Sequence, residues 1–89
     1  MTTVSFTVRI VEGLHARPAA SFVKLANSFP CDLYLVGERD GRKVNAKSIM
    51  GILMLGLHRG ETATLIADGA NEQEAVKALQ ALCERAVVE

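Results

Sequence analysis

Apolar and polar residues alternate at the start of the chain, where Val4, Phe6, Val8 and Ile10 are separated by Ser5, Thr7 and Arg9. This two-residue period predicts a strand with one buried face. From Ala16 the period lengthens, as Ala16, Ala19, Ala20, Val23 and Ala26 recur at helical spacing until Phe29-Pro30 halts the segment. Residues 33–36 predict a second strand, Gly37-Glu38-Arg39-Asp40-Gly41 a turn of solvated charges, and 42–45 the returning strand of a hairpin. Residues 48–55 have the length of a short helix, which Gly56 is placed to end. Leu57-His58-Arg59-Gly60 reads as a plain exposed connection, and 62–67 as a fourth strand. Asn71 followed by Glu74 resembles a capping box. The helix it would open carries the stripe Ala75, Val76, Leu79, Leu82, Cys83 and Ala86.

The predicted order is βαββαβα. One-faced strands and amphipathic helices imply a two-layer α+β domain, with three helices packed on one side of a sheet and all of residues 1–89 in a single domain. Composition narrows the class. Hydrophobic residues make up 49% of the chain, which argues against disorder. Ten Lys+Arg balance ten Asp+Glu, so the chain lacks the cationic excess that phosphate-backbone binding requires, and no nucleic acid partner is expected. The longest apolar stretch, 49–57, is too short to span a bilayer. The alternating N-terminus lacks a signal peptide's continuous apolar region, so a cytoplasmic protein is expected. Cys31 and Cys83 show no CxxC spacing and are expected to be buried, reduced thiols. No spacing supports a mixed metal site of Cys31, Cys83, His15 and His58, so neither metal nor cofactor is expected. With no Walker loop, paired metal carboxylates or Ser/His/Asp arrangement, ATP and Mg²⁺ are not expected ligands.

Chemistry concentrates in Gly13-Leu14-His15-Ala16-Arg17-Pro18-Ala19-Ala20, between the first strand and the first helix. Pro18 suits a first helical turn, where its missing N–H has no intrahelical partner to lose. His15 then sits at the helix start, where free backbone N–H groups and the positive end of the dipole favour an anion and a neutral imidazole. Arg17 is within reach of a phosphate held there. Nucleophile, backbone donors and counter-charge fall within one turn, an arrangement able to accept a phosphoryl group on His15. Taken alone, the same pattern also fits a simple helix start with a solvated arginine.

The segment 49–55 is large and apolar except for Gly51. A helix on one sheet buries a single stripe, here Ile52 and Leu55, which turns Met50, Leu53 or Met54 outward as a docking patch. Methionine suits a surface that must fit several partners. The alternative is a wholly buried helix. Ser48 is placed as its N-cap.

The first motif resembles the active-site signature of HPr, the phosphocarrier family of the bacterial phosphoenolpyruvate-dependent sugar phosphotransferase system. The family's second signature is matched by Asn45-Ala46-Lys47-Ser48-Ile49-Met50-Gly51-Ile52 followed by Leu55-Gly56. Spacing, element order and length agree, so the resemblance covers essentially the whole chain. It implies an open-faced sandwich of four antiparallel strands with three helices on one face. It further implies that enzyme I phosphorylates Nδ1 of His15, that Arg17 contacts the phosphate, and that the group passes to enzyme IIA domains. The protein is then a stoichiometric carrier, expected to be monomeric, and not a turnover enzyme. Ser48 matches the serine modified by a regulatory kinase in many Gram-positive bacteria, which adds a serine kinase/phosphorylase and a transcriptional regulator to the implied partners. Partner docking is expected on Ala16, Ala20, Lys47, Ile49, Met50, Leu53 and Met54. The presence of His15 sets the chain apart from Crh-type relatives that lack this histidine. The alternatives are a regulatory binding module and a nitrogen-branch carrier of the same family, neither with sugar transport as its main role. The hairpin is a couple of residues longer than the resemblance leads one to expect, a difference expected to alter only an exposed turn.

Overall fold

The computed structural model describes residues 1–87, so Val88 and Glu89, the end of the expected domain, lie outside the described residues. The elements follow the predicted order: β1 (Thr2–Thr7), α1 (Ala16–Asn27), β2 (Asp32–Gly37), β3 (Lys43–Asn45), α2 (Ile49–Leu55), β4 (Thr62–Asp68) and α3 (Glu72–Cys83). They form one four-stranded sheet in the order β1-β4-β2-β3, with every neighbouring pair antiparallel. Register aligns Val4, Leu65 and Leu35 in one row across β1, β4 and β2. Along β4, Ala63, Leu65 and Ala67 are buried, and Leu33 and Leu35 continue that face on β2. The helices cover it with Phe22 from α1, Ile52 and Leu55 from α2, and Ala75, Val76 and Leu79 from α3. The other face stays open, with Ser5 and Thr64 joined through their hydroxyls at 2.9 Å and the Lys43 ammonium 4.5 Å over the Tyr34 ring.

Several local expectations are corrected. β1 stops at Thr7; Val8 and Ile10 remain buried, but the backbone beyond the strand bonds elsewhere, Val8 N–H to Glu61 O and Arg9 N–H to Cys83 O, both at 2.9 Å. α1 buries Pro18, Ala19, Phe22 and Ala26, while Ala16 and Ala20 are exposed and Val23 is half-buried. The buried stripe is rotated towards Phe22 because the aromatic ring, not another alanine, fills the largest share of the core. In α3 the predicted stripe is buried from Ala75 to Cys83, whereas Ala86 lies past the helix end and is exposed. Cys31 and Cys83 are buried free thiols, and burial pushes the Cys83 thiol up to about 12. Among the described residues no helix is long and apolar enough to cross a membrane.

The expected capping box is also absent. Asn71 lies in the left-handed region at φ 63° and makes no side-chain cap, since that role requires extended backbone. Glu72 replaces it: its Oε1 accepts the Gly69 N–H at 3.1 Å, and its Oε2 accepts the Thr2 hydroxyl. The Met1 ammonium stands 3.1 Å from the same carboxylate. The Thr2 hydroxyl first, then the Gly69 N–H, hold the Glu72 carboxyl down to about 2 against an ordinary 4.5. A depressed carboxylate stabilises the fold above its unfolded value and loses that contribution as pH falls through the folded one. Thermal unfolding of the wild type should therefore weaken between pH 4.5 and about 2, and Glu72→Gln should flatten the decline across that window.

Candidate functional site

The start of α1 is built around an unusual backbone. His15 is the N-cap residue, extended at φ −123° and ψ 159°, and its ring makes no cap hydrogen bond. Ala16 follows at φ 46°, a left-handed conformation that costs a residue with a Cβ about 1–2 kcal/mol. The first intrahelical contact, Ala19 N–H to His15 O, is long at 3.4 Å. The N–H groups of Ala16 and Arg17 belong to the first turn, which has no carbonyl of its own to satisfy them. Pro18 takes the next position without an N–H to lose and is buried. His15 is half-buried and Arg17 exposed. Among the described residues Arg17 has no ion-pair partner, which leaves its guanidinium available to an anion at the helix start.

One neighbour of His15 comes from far along the chain. His15 Nε2 lies 3.3 Å from His58 Nδ1, with ring centroids 5.0 Å apart and planes inclined at 52°. Gly13 allows the approach. It sits at φ 74°, and a Cβ there would come within 2.6 Å of Leu57 O and 3.1 Å of the His58 Cα. Leu14 N–H donates to Leu57 O at 2.8 Å and closes the contact. The connection 57–60, expected to be a plain exposed loop, is thus part of the site. A signal for this did exist: Leu57 is a large apolar residue in an otherwise polar loop, and it is buried.

The His58 backbone is held in turn. Its N–H donates to Glu61 Oε1 at 2.7 Å, Arg39 pairs with Glu61 Oε2 at 3.1 Å, and Arg39 Nη2 donates to Leu55 O at 3.2 Å. Arg39 belongs to the turn expected to hold only solvated charges. Its side chain is 55% exposed, yet it braces the loop that carries His58.

α2 matches its sequence reading at both ends. Ser48 is the N-cap, with its Oγ accepting the Gly51 N–H at 3.2 Å, and Gly56 closes the helix at φ 56° with its N–H donating to Leu53 O. Ile52 and Leu55 are buried, while Ile49, Met50, Leu53 and Met54 are exposed by 40%, 67%, 43% and 60%. Ala16 and Ala20 of α1, expected to share in docking with them, are exposed as well. Lys47 differs from the rest. Its Nζ donates to Phe29 O at 2.7 Å and its carbonyl accepts from Asn27 Nδ2 at 3.1 Å, so its charge is turned to joining α1 and α2.

Comparison with known proteins agrees with this geometry. Residues 2–85 match the family model for the PTS HPr component phosphorylation site. The HPr-like protein Crh of Bacillus subtilis is 52% identical over 80 residues, covering 90% of this chain and 92% of Crh. The crystal structure of the phosphocarrier protein HPr from Bacillus anthracis is similar at a TM-score of 0.88 and 40% identity, covering 92% of this chain and 95% of that one. A crystal structure of Bacillus subtilis Crh, described as a dimer with a swapping domain, is similar at a TM-score of 0.73 and 48% identity over all of both chains. A small open-faced α+β sandwich with a histidine at the start of α1 defines the class, and the chain belongs to the HPr family.

Proposed function

We propose that the protein is a phosphoryl carrier that accepts a phosphoryl group from phospho-enzyme I onto His15 Nδ1 and passes it to enzyme IIA domains in sugar uptake. The observation that carries this reading is His15 itself, half-buried at the N-cap of α1 beside two first-turn N–H groups and the exposed Arg17. In the transfer, the Nδ1 lone pair attacks phosphorus while the P–N bond of the donor breaks, its electron pair returning to the donor nitrogen. The positive end of α1 and Arg17 stabilise the negative oxygens as they pass. The fold contributes positioning and charge, and partners supply the phosphoryl group.

Residues 1–89 act as one domain, cytoplasmic and monomeric. The surface of Ala16, Ala20, Ile49, Met50, Leu53 and Met54 receives enzyme I and enzyme IIA in turn, with Lys47 as its structural edge. Ser48 is the site for a serine kinase/phosphorylase. A phosphate there adds about two negative charges at the mouth of α2, where the helix tolerates an anion but an apolar partner surface does not. Ser48→Asp should therefore slow transfer from enzyme I with little effect on thermal unfolding.

A second reading, a regulatory module that binds partners such as a transcriptional regulator through the same face, is favoured by the 52% identity to Crh. Incubation with phosphoenolpyruvate and enzyme I separates the two. An acid-labile mass increase of one phosphate supports the carrier, and its absence supports the regulatory module. Arg17→Ala should still be labelled, but about ten- to a hundredfold more slowly, the loss expected for one charge-assisted contact. Wild-type rates in that variant would make Arg17 a surface charge only.

A further inference from the structure

The contact between His15 and His58 has a direction, and the direction matters for the chemistry. Each neutral imidazole carries one N–H and one lone pair, so the 3.3 Å approach of His15 Nε2 to His58 Nδ1 joins a donor to an acceptor in one of two ways. If His58 Nδ1–H donates, His15 must carry its own proton on Nδ1, and no lone pair is left there. If His15 Nε2–H donates, Nδ1 keeps its lone pair. The second arrangement places both rings in the Nε2–H tautomer, the one a histidine side chain intrinsically favours. The first requires the disfavoured tautomer on both.

We infer that His58 is a positioning residue whose Nδ1 accepts a hydrogen bond from His15 Nε2–H, and so keeps the Nδ1 lone pair of His15 free for phosphoryl transfer. The chain is built to hold this acceptor in place. Gly60 N–H donates to Val8 O at 2.7 Å, Glu61 N–H to His58 O at 3.1 Å, and the Glu61 carboxylate, braced by Arg39, accepts the His58 N–H. Buried Leu57 anchors the other side of the loop. A backbone fixed on both sides gives the imidazole a defined origin against the ring of His15.

The inference rests on the carrier reading for its consequence, and it adds one. Once Nδ1 bonds to phosphorus, the His15 ring becomes a phosphorylated imidazolium whose only N–H is at Nε2. A neutral hydrogen bond to His58 then becomes a charge-assisted one, which is shorter and stronger. Positive charge builds on the ring as the bond to phosphorus forms, so the His58 contact strengthens from reactant to transition state, the condition for accelerating the step.

Long-range ¹H–¹⁵N NMR of the histidine rings tests the assignment in the unphosphorylated protein, with single-turnover labelling by phosphoenolpyruvate and enzyme I alongside. Wild type should show His15 as the Nε2–H tautomer. His58→Ala should give a tautomer mixture and labelling slower by about tenfold or more. His58→Asn, whose Oδ1 can stand near the place of Nδ1, should recover most of both. An Nδ1–H tautomer in the wild type, or a tautomer and rate unmoved in His58→Ala, would overturn the inference. A correct tautomer shift in a wild type that enzyme I cannot label would instead uphold the positioning role and remove the carrier reading.

Discussion

His15→Ala should abolish acid-labile labelling from phosphoenolpyruvate and enzyme I while leaving the fold intact. No other side chain in the first motif has a nitrogen lone pair to offer phosphorus, since Arg17 keeps its proton at any accessible pH. The structural cost is small. The His15 ring makes no cap hydrogen bond, and among the described residues its side-chain polar contact is with exposed His58. Loss of this half-buried side chain and of its contact with His58 should cost about 1 kcal/mol, which leaves the domain folded. Full labelling of the variant would move the acceptor to His58, the other imidazole of the pair.

The second large effect lies on α2, where adjacent residues should behave in opposite ways. Met50 and Leu53 are exposed, whereas Ile52 between them is fully buried. Met50→Asp or Leu53→Asp should leave the melting temperature almost unchanged. Binding to enzyme I should nevertheless weaken by about thirtyfold or more, because an aspartate would lose its water at the apolar centre of an interface. Ile52→Ala should do the reverse. It removes core volume beneath the sheet and costs about 2–5 kcal/mol of stability, with the exposed docking residues intact. Calorimetric unfolding and titration against enzyme I distinguish the two classes. A marked stability loss in Met50→Asp would return this helix to the core.

The parts of this molecule that were legible in the sequence are those set by local periodicity. Alternation at Val4 and Phe6, the Ser48 and Gly56 caps and the Ile52–Leu55 stripe all depend on residues a few positions apart, and all stand in the structure. Errors arose where a distant partner decided the outcome. Phe22 rather than Ala20 faces the core because the sheet needs a large side chain there. Asn71 yields its cap to Glu72 because Thr2 arrives from the first strand to share the carboxylate. Arg39 and His58 looked like solvated loop residues until the chain brought the hairpin turn, Glu61 and His15 to one edge. Within the site, His15, Arg17 and the α2 surface were visible as motifs. The acceptor opposite His15 was not, because it depends on Gly13 letting two loops approach more closely than any Cβ would permit.

The central claim is that this chain relays a phosphoryl group through His15, and following one labelled group through the whole relay tests it most directly. Radiolabelled phosphoenolpyruvate is mixed with enzyme I and the protein, the labelled protein is isolated, and an enzyme IIA domain is added. A carrier predicts label that is acid-labile on this protein and then leaves it for the enzyme IIA domain in equal amount. Stable binding to either partner with no label ever appearing on His15 would contradict the carrier and leave a regulatory binding module in its place.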